Sequence, residues 1–548
     1  MNPNDAIQRT ISLLLTAALL RLAGGCVLVH PTYLPAPVES IELPGGTSER
    51  RYDTDGDGVV DYREQLSREH RVVRLLYDTD EDGVIDCDVP FDRRGSSHHP
   101  VHGSADPTAR PIPWTAHRRL LIILDSIPFD MVARARDRGL FAHFLAPTRV
   151  ISPYPVMTDL SLDEFFGVSP APAVETDYYD GHRSVDGWGP YARAANSRWL
   201  GSVDYHVPFA RHGDIYLAPR AGFERELAGV ERLVARKSPP PVTAYMVAPS
   251  ALGFVQGRPG HAWGLERLDR FCRALIHRYR GAIDITLMSD HGHQFAVSRR
   301  IGLAGDLARR GYHVTDRLKQ PGDVVIPRFG LVSTVAIHTR QAERVARDVA
   351  QLAYVELAAC RGDDGAIDVF AHDRQHATII RRGDRYRYAP TKGDPLFLSG
   401  VVDELASTGR LDAEGFAADT DWFTATTGAT YPDALYRLHR AFGGLVVHVP
   451  DVLVSLRSGW CSGSPLMSGF VTTPRAIHGS LNADSTTGFA MTTVGPLPAA
   501  VRMIDLADAL TAAGWEMARP TDRDRTTPTP YEQQSTAYRG LGNGAPVR

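Results

Sequence analysis

An α/β fold built on buried central strands is what this sequence predicts, and three observations predict it. The run Arg119-Leu-Leu-Ile-Ile-Leu-Asp125 holds five apolar residues stopped by a carboxylate, the pattern of a parallel strand covered on both faces. A second such strand reads from Ile283 to Met288 and ends in Ser289-Asp-His-Gly292. Helices read at 159–167 and 265–276, the first after the extended stretch Val150 to Thr158 and the second just before the Ile283 strand. A carboxylate and an imidazole at the carboxyl end of a central strand stand where open α/β sheets bind ligands.

A chain of 548 residues is too long for one small domain and predicts one large core with accessories. Its 43% apolar and 23% charged residues are those of a soluble globular protein. A formal charge of −4 and no concentrated Lys/Arg stripe argue against a nucleic-acid partner.

Taken in order, residues 1–26 read as an export signal. Arg9 precedes the apolar run Ile11 to Leu20, which is too short to span a bilayer, and the small residues a signal peptidase requires follow it. Ala23-Gly-Gly-Cys26 resembles a bacterial lipobox, in which Cys26 becomes the lipidated first residue; Ala23 in place of Leu and the nearby Arg21 depart from that pattern. The localisation expected is the bacterial periplasm or cell envelope, with the membrane as a partner only through that lipid. Cys87, Cys272, Cys360 and Cys461 are too scattered for a zinc knuckle, leaving one or two bridges open.

Residues 27–50 read as a tether and 51–92 as two acidic, calcium-binding loops. In the first, Asp53, Asp55, Asp57, the Val59 carbonyl, Asp61 and Glu64 occupy loop positions that give a hard cation its oxygens, with Gly58 at the sharp turn. The second repeats this start with Asp78, Asp80, Asp82, the Val84 carbonyl and Asp86 but has Val89 at the last position, so weaker binding is expected. Arg71 to Tyr77 between them reads as a strand, so the pair resembles the Asp-rich calcium repeats of exported bacterial proteins more than a calmodulin-type sensor. Residues 93–113 read as a linker whose His98, His99 and His102 lack the support a metal site needs.

In the core, burying Asp125 unpaired is expensive, and a metal supplies the reason for it. Thr158 falls at a helix amino terminus, where backbone N–H groups hold an anionic phosphoryl group, although a plain N-cap explains it too. The strand ending in Asp125, the Pro-rich approach to Thr158, Ser289-Asp-His-Gly292 and Ala476-Ile-His-Gly-Ser480 occur in an order and spacing similar to those of the type I phosphodiesterase/nucleotide pyrophosphatase branch of the alkaline phosphatase superfamily. The resemblance spans about residues 118–513. It implies a doubly wound, mostly parallel α/β sheet, a pair of zinc-type ions and a Thr or Ser nucleophile that attacks phosphorus in line. Carried over by position, it implies that Asp125, Asp290 and His291 hold one ion beside the nucleophile Thr158, and that His478 belongs to the second ion. Where the family places an Asp and then a His for that second ion, this chain has Ser250 and Phe254; His261 is the substitute at hand. Ser126 stands where the family mostly has Gly.

The core is expected over 114–323 and 441–515, with an inserted α+β cap over 324–440 and a disordered tail over 516–548. In the cap, strands read at 335–338, 366–370 and 377–380 and a helix at 341–357; strands at 443–449 and 452–456 are expected back in the core. Cys461-Ser-Gly-Ser-Pro465 lacks the sulfatase pattern. Two functions follow: an exported metal-dependent hydrolase of phosphoric esters, its substrate a phosphorylated small molecule or nucleotide, and a weak or inactive relative that binds at the cell surface. The five polar groups at Asp125, Thr158, Asp290, His291 and His478 favour the first; Ser250 and Phe254 favour the second.

Overall fold

Three sheets organise the computed structural model, which describes residues 30–91, 101–102, 117–185, 197–237, 241–464 and 473–515. The export signal with Cys26, the side chains of His98, His99 and His102, and the tail 516–548 lie outside the described residues.

The main sheet has the strand order Val242–Met246, Arg118–Leu124, Ile283–Ser289, Thr487–Thr492, Thr148–Ile151, Ala500–Arg502. Every strand runs the same way except Thr487–Thr492, which is antiparallel to both neighbours. The α/β reading, mostly parallel, therefore holds. Leu120 to Leu124 are all buried, as are Ile285, Leu287 and Met288, and burying each such side chain contributes about 1.5–3 kcal/mol. The helix before the Ile283 strand is longer than expected, Arg258–Arg278, because Pro259 suits a first turn and the apolar spacing continues upstream to His261.

Residues 39–50, expected in a tether, instead open an antiparallel meander. Glu39–Leu43 and Thr47–Tyr52 form a hairpin around Gly45 and Gly46, both at positive φ as the turn requires, and four further strands follow in sequence order. The expected strand after Arg71 is present as Val72–Tyr77. This sheet shares one apolar core with the Arg258–Arg278 helix; Tyr62 and Tyr77 pack their rings against His277.

The inserted unit is larger than the sequence suggested. Its nine-stranded sheet begins at His313–Val314, and the strand Val452–Leu456, expected in the main core, lies in it between Thr334–Thr339 and Val355–Arg361. A strand buried along its whole length cannot reveal from its own sequence which of two sheets it joins. The stretch 443–449 holds no strand and makes only a bridge from Val446 to Ala171. The helix expected over 341–357 stops at Val349, and β-branched Val355 begins a strand. Cys87, Cys272, Cys360 and Cys461 are buried free thiols. Among the described residues no helix is long and apolar enough to cross a membrane.

Candidate functional site

Strand register builds the centre of the site. Ser289 pairs with Leu124 across two adjacent parallel strands, so the next residue of each, Asp290 and Asp125, emerge side by side at the carboxyl edge. Both carboxylates are buried. Asp125 accepts from Ser126 Oγ at 2.6 Å and from Tyr245 Oη at 2.7 Å. Asp290 Oδ1 accepts from the Ser126 and His291 amides, at 3.0 and 2.9 Å, while its Oδ2 has no partner among the described residues. Burial raises the pKa of both groups, and for Asp125 the neighbouring Asp290 charge raises it further. Two buried carboxylates with an orphaned oxygen between them call for a proton or a cation.

His291 turns its remaining nitrogen into this cluster. Its Nδ1 donates to the Gly292 carbonyl at 2.9 Å, which leaves Nε2 as the lone-pair nitrogen, 3.3 Å from Asp290 Oδ2 and 4.0 Å from Asp125 Oδ1. Burial lowers its pKa and keeps it neutral. The ligand atoms of Asp125, Asp290 and His291 all lie within 4.8 Å of one another, and this donor set of two oxygens and one imidazole fits a divalent ion.

Thr158 is the first residue of the helix Thr158–Phe166, and its Oγ1 lies 3.3 Å from His291 Nε2. Met157 in front of it supplies no side-chain cap, so the first amides of the helix are open to an anion. His478 donates from Nδ1 to the Val156 carbonyl at 2.8 Å and stacks on His291 with ring centroids 4.2 Å apart. Asp125, Thr158, Asp290, His291 and His478 are thus brought together.

His261 is not brought into this cluster. It sits in the first turn of its helix, buried, and stacks on His293 with centroids 5.4 Å apart. His293, two residues beyond His291, was missed as a site residue although the same turn carries it; it lies 6.0 Å from His478. Tyr245 was missed too, since a Tyr inside an apolar strand carries no signal beyond core packing. Ser250 and Phe254 lie on one face of the helix Ala248–Gln256. Ser250 Oγ is 3.3 Å from Ser126 Oγ and from Tyr216 Oη, and Phe254 packs with Tyr216, Cys461 and Ile477. Ser126 adopts φ 65°, which explains why glycine suits that position.

The acidic loops gather Asp53, Asp55 and Asp57, and Asp78, Asp80 and Asp82, each set within 4.8 Å. Asp61 and Asp86 turn aside to bond Thr54 and Thr79, whose amides they accept at 3.0 Å. Val59 and Val84 donate their amides to Asp57 and Asp82. Glu64 corrects the expected ligand set. It is wholly buried, accepting from Tyr52 Oη at 2.7 Å with His143 at 3.3 Å and Arg273 at 3.4 Å. The reason is the element that follows the loop: a helix returns its first turn over the ion, whereas the strand Tyr62–Leu66 carries residue 64 away and into the core.

No family model matches this chain, and no curated protein does. Among solved structures, the chain is similar to murine and human ectonucleotide pyrophosphatase/phosphodiesterase 5, at 13% identity with TM-scores of 0.39 and 0.41; the matches cover 73% and 72% of this chain and 95% of each of those. It is also similar to phosphonoacetate hydrolase from Sinorhizobium meliloti 1021, solved with phosphonoformate, at 12% identity and a TM-score of 0.40, covering 74% of this chain and 98% of that one.

Proposed function

We propose that the chain is an exported, metal-dependent hydrolase of phosphoric esters with Thr158 as its nucleophile. The observation that carries this reading is the placement of the Thr158 hydroxyl at an open helix amino terminus, 3.3 Å from the neutral His291 nitrogen and beside a buried, incompletely satisfied carboxylate pair. Asp125, Asp290 and His291 would hold a zinc-class ion, whose charge lowers the hydroxyl pKa of Thr158 and offsets the charge of a bound phosphoryl group.

The residues of the chain account for the rest. The open amides of the Thr158–Phe166 helix hold the phosphoryl oxygens against the Thr158 hydroxyl, which the first turn of that helix positions beside His291. Attack forms the Oγ–P bond as the bond from phosphorus to the leaving oxygen breaks, and the proton given up by the Thr158 hydroxyl ends on that leaving oxygen. Water then displaces Thr158 from phosphorus and restores the hydroxyl. The substrate is a phosphorylated small molecule or a nucleotide-like ester. Residues 1–26 carry the export signal, with Cys26 as the lipidation point, and calcium at the acidic loops stiffens the amino-terminal sheet.

A second reading has its own observation. Ser250 and Phe254 are occupied in packing with Tyr216, which favours a surface binding protein that keeps the fold without turnover. Assay of nitrophenyl phosphate mono- and diesters, before and after chelation and with zinc restored, separates the two. Hydrolysis that disappears on chelation and returns with zinc supports the enzyme; none under any metal loading leaves the binding protein.

A further inference from the structure

A buried phenol holds the Asp125 carboxylate from outside the donor cluster. Tyr245 lies in the strand Val242–Met246 and pairs with Ile123, two residues before Asp125 on the neighbouring strand, so it stands on the face of the sheet to which Asp125 belongs. It is buried, and its Oη donates to Asp125 Oδ2 at 2.7 Å. Ser126 Oγ donates to the other oxygen, Oδ1, at 2.6 Å, and Oδ1 is the one 4.0 Å from His291 Nε2. The carboxylate is therefore divided: Oδ1 lies toward His291, and Oδ2 is taken by the phenol. A carboxylate held in this way offers an ion one oxygen in a fixed orientation, and outer hydrogen bonds of this kind tune how tightly the ion is held.

The same phenol ring leads to the nucleophile helix. It meets the indole of Trp199 edge to face, with centroids 4.7 Å apart. Trp199 is 1% exposed and sits in the short 3-10 helix Arg198–Ser202. Its Nε1 donates to Asp159 Oδ1 at 2.9 Å, and Ser197 Oγ donates to the same oxygen at 2.7 Å. Asp159 follows Thr158 in the first turn of the Thr158–Phe166 helix, so these two donors grip the helix at the end where the phosphoryl group is to bind. The main sheet alone does not fix that end against Asp125. Two strands lie between Arg118–Leu124 and Thr148–Ile151, the strand that leads to Thr158, and they separate the two chains by about 14 Å. The path Asp125–Tyr245–Trp199–Asp159 joins the two ends directly and passes through neither His291 nor Asp290.

We propose that Tyr245 and Trp199 are positioning residues that brace the Thr158 hydroxyl against the Asp125 cluster. Tyr245 acts through Asp125, presenting Oδ1 to the ion by occupying Oδ2. Trp199 acts through Asp159, resting on the Tyr245 ring while its indole N–H holds the first turn of the nucleophile helix. An error of about 1 Å between nucleophile and reacting centre costs on the order of a hundredfold in rate, which is the reason for a brace made of two rigid aromatic rings. The proposal rests on the preceding reading in taking Asp125, Asp290 and His291 as ligands of an ion and Thr158 as the nucleophile.

The test is the affinity of the full chain, stripped with a chelator, first for cobalt and then, once loaded, for orthovanadate as a phosphoryl mimic that needs Thr158 in line. Asp290→Asn gives the background from the acidic loops. Tyr245→Phe keeps the ring against Trp199 and loses only the hydroxyl; it is expected to bind cobalt about tenfold or more weakly, with an altered visible spectrum. Trp199→Phe keeps a ring against Tyr245 and loses the N–H; cobalt affinity should stay within about twofold while orthovanadate binds about tenfold more weakly. Asp159→Ala should repeat the Trp199→Phe loss, and Asp159→Asn, which keeps the accepting oxygen, should be spared most of it. Far-ultraviolet circular dichroism identifies a variant that fails to fold, and Asp159→Ala then stands in for Trp199→Phe. Wild-type cobalt affinity in Tyr245→Phe, wild-type orthovanadate affinity in folded Trp199→Phe, or a wild type that binds no cobalt above the background overturns the proposal. Ester hydrolysis is scored separately: both losses in a protein without turnover keep the brace and reject the hydrolase, whereas turnover with neither loss does the reverse.

Discussion

At the scale of the residue, Thr158 carries the heaviest burden. Thr158→Ala removes the nucleophile and is expected to lower turnover about a thousandfold while metal content is unchanged, whereas Thr158→Ser keeps a hydroxyl and should stay within about tenfold. Steady-state kinetics beside elemental analysis checks both; equal activity of wild type and Thr158→Ala would remove Thr158 from the reaction. Arg437 belongs to the same scale. Fully buried in the inserted unit, it donates to the carbonyls of Ser152 and Leu481 at 2.8 and 3.0 Å and so ties the approach to Thr158 to the loop after His478. Arg437→Ala leaves those carbonyls unpaired beside a cavity and should cost about 3 kcal/mol in urea unfolding. The residues at strand ends were legible because a carboxylate that stops an apolar run is conspicuous. Tyr245, His293 and Arg437 were not, since each earns its place only through a neighbour distant in sequence.

The amino-terminal sheet is the element whose attachment is most open to measurement. Glu64 docks it onto the Arg258–Arg278 helix through Arg273, and that guanidinium, with His143, holds the Glu64 carboxyl well below the usual carboxylate range despite burial. A depressed folded pKa means the contribution is complete above the unfolded value, about 4.3, and fades as the pH falls toward the folded one. Glu64→Gln should therefore destabilise by about 3 kcal/mol at pH 7, and by progressively less in acid. Denaturant titrations across that range check it, and a penalty independent of pH would mean that Glu64 is not held as a carboxylate. On the adjoining loop, calcium is expected to raise the thermal midpoint of wild type and to raise that of an Asp55→Asn, Asp57→Asn variant by clearly less.

Over the whole molecule, the inserted unit shows where a linear reading stops. Removing residues 324–440 would strip the partners from both edges of Val452–Leu456, an apolar strand buried throughout, and the variant should aggregate; removing 313–456 takes the complete sheet and should leave more soluble protein. Soluble yield by size-exclusion chromatography compares the two. The sequence by itself determined the α/β class, the central strands, the strand character of the acidic repeats, and Asp125, Thr158, Asp290, His291 and His478 as one group, because periodicity and strand-end chemistry are local signals. Only the tertiary structure decided that Glu64 turns inward, that Val452–Leu456 leaves the main sheet, and that His261 meets His293 instead of the Asp125 cluster. Those outcomes depend on which surfaces meet across long sequence separations, and burial is a property of the pair that meets rather than of either segment alone.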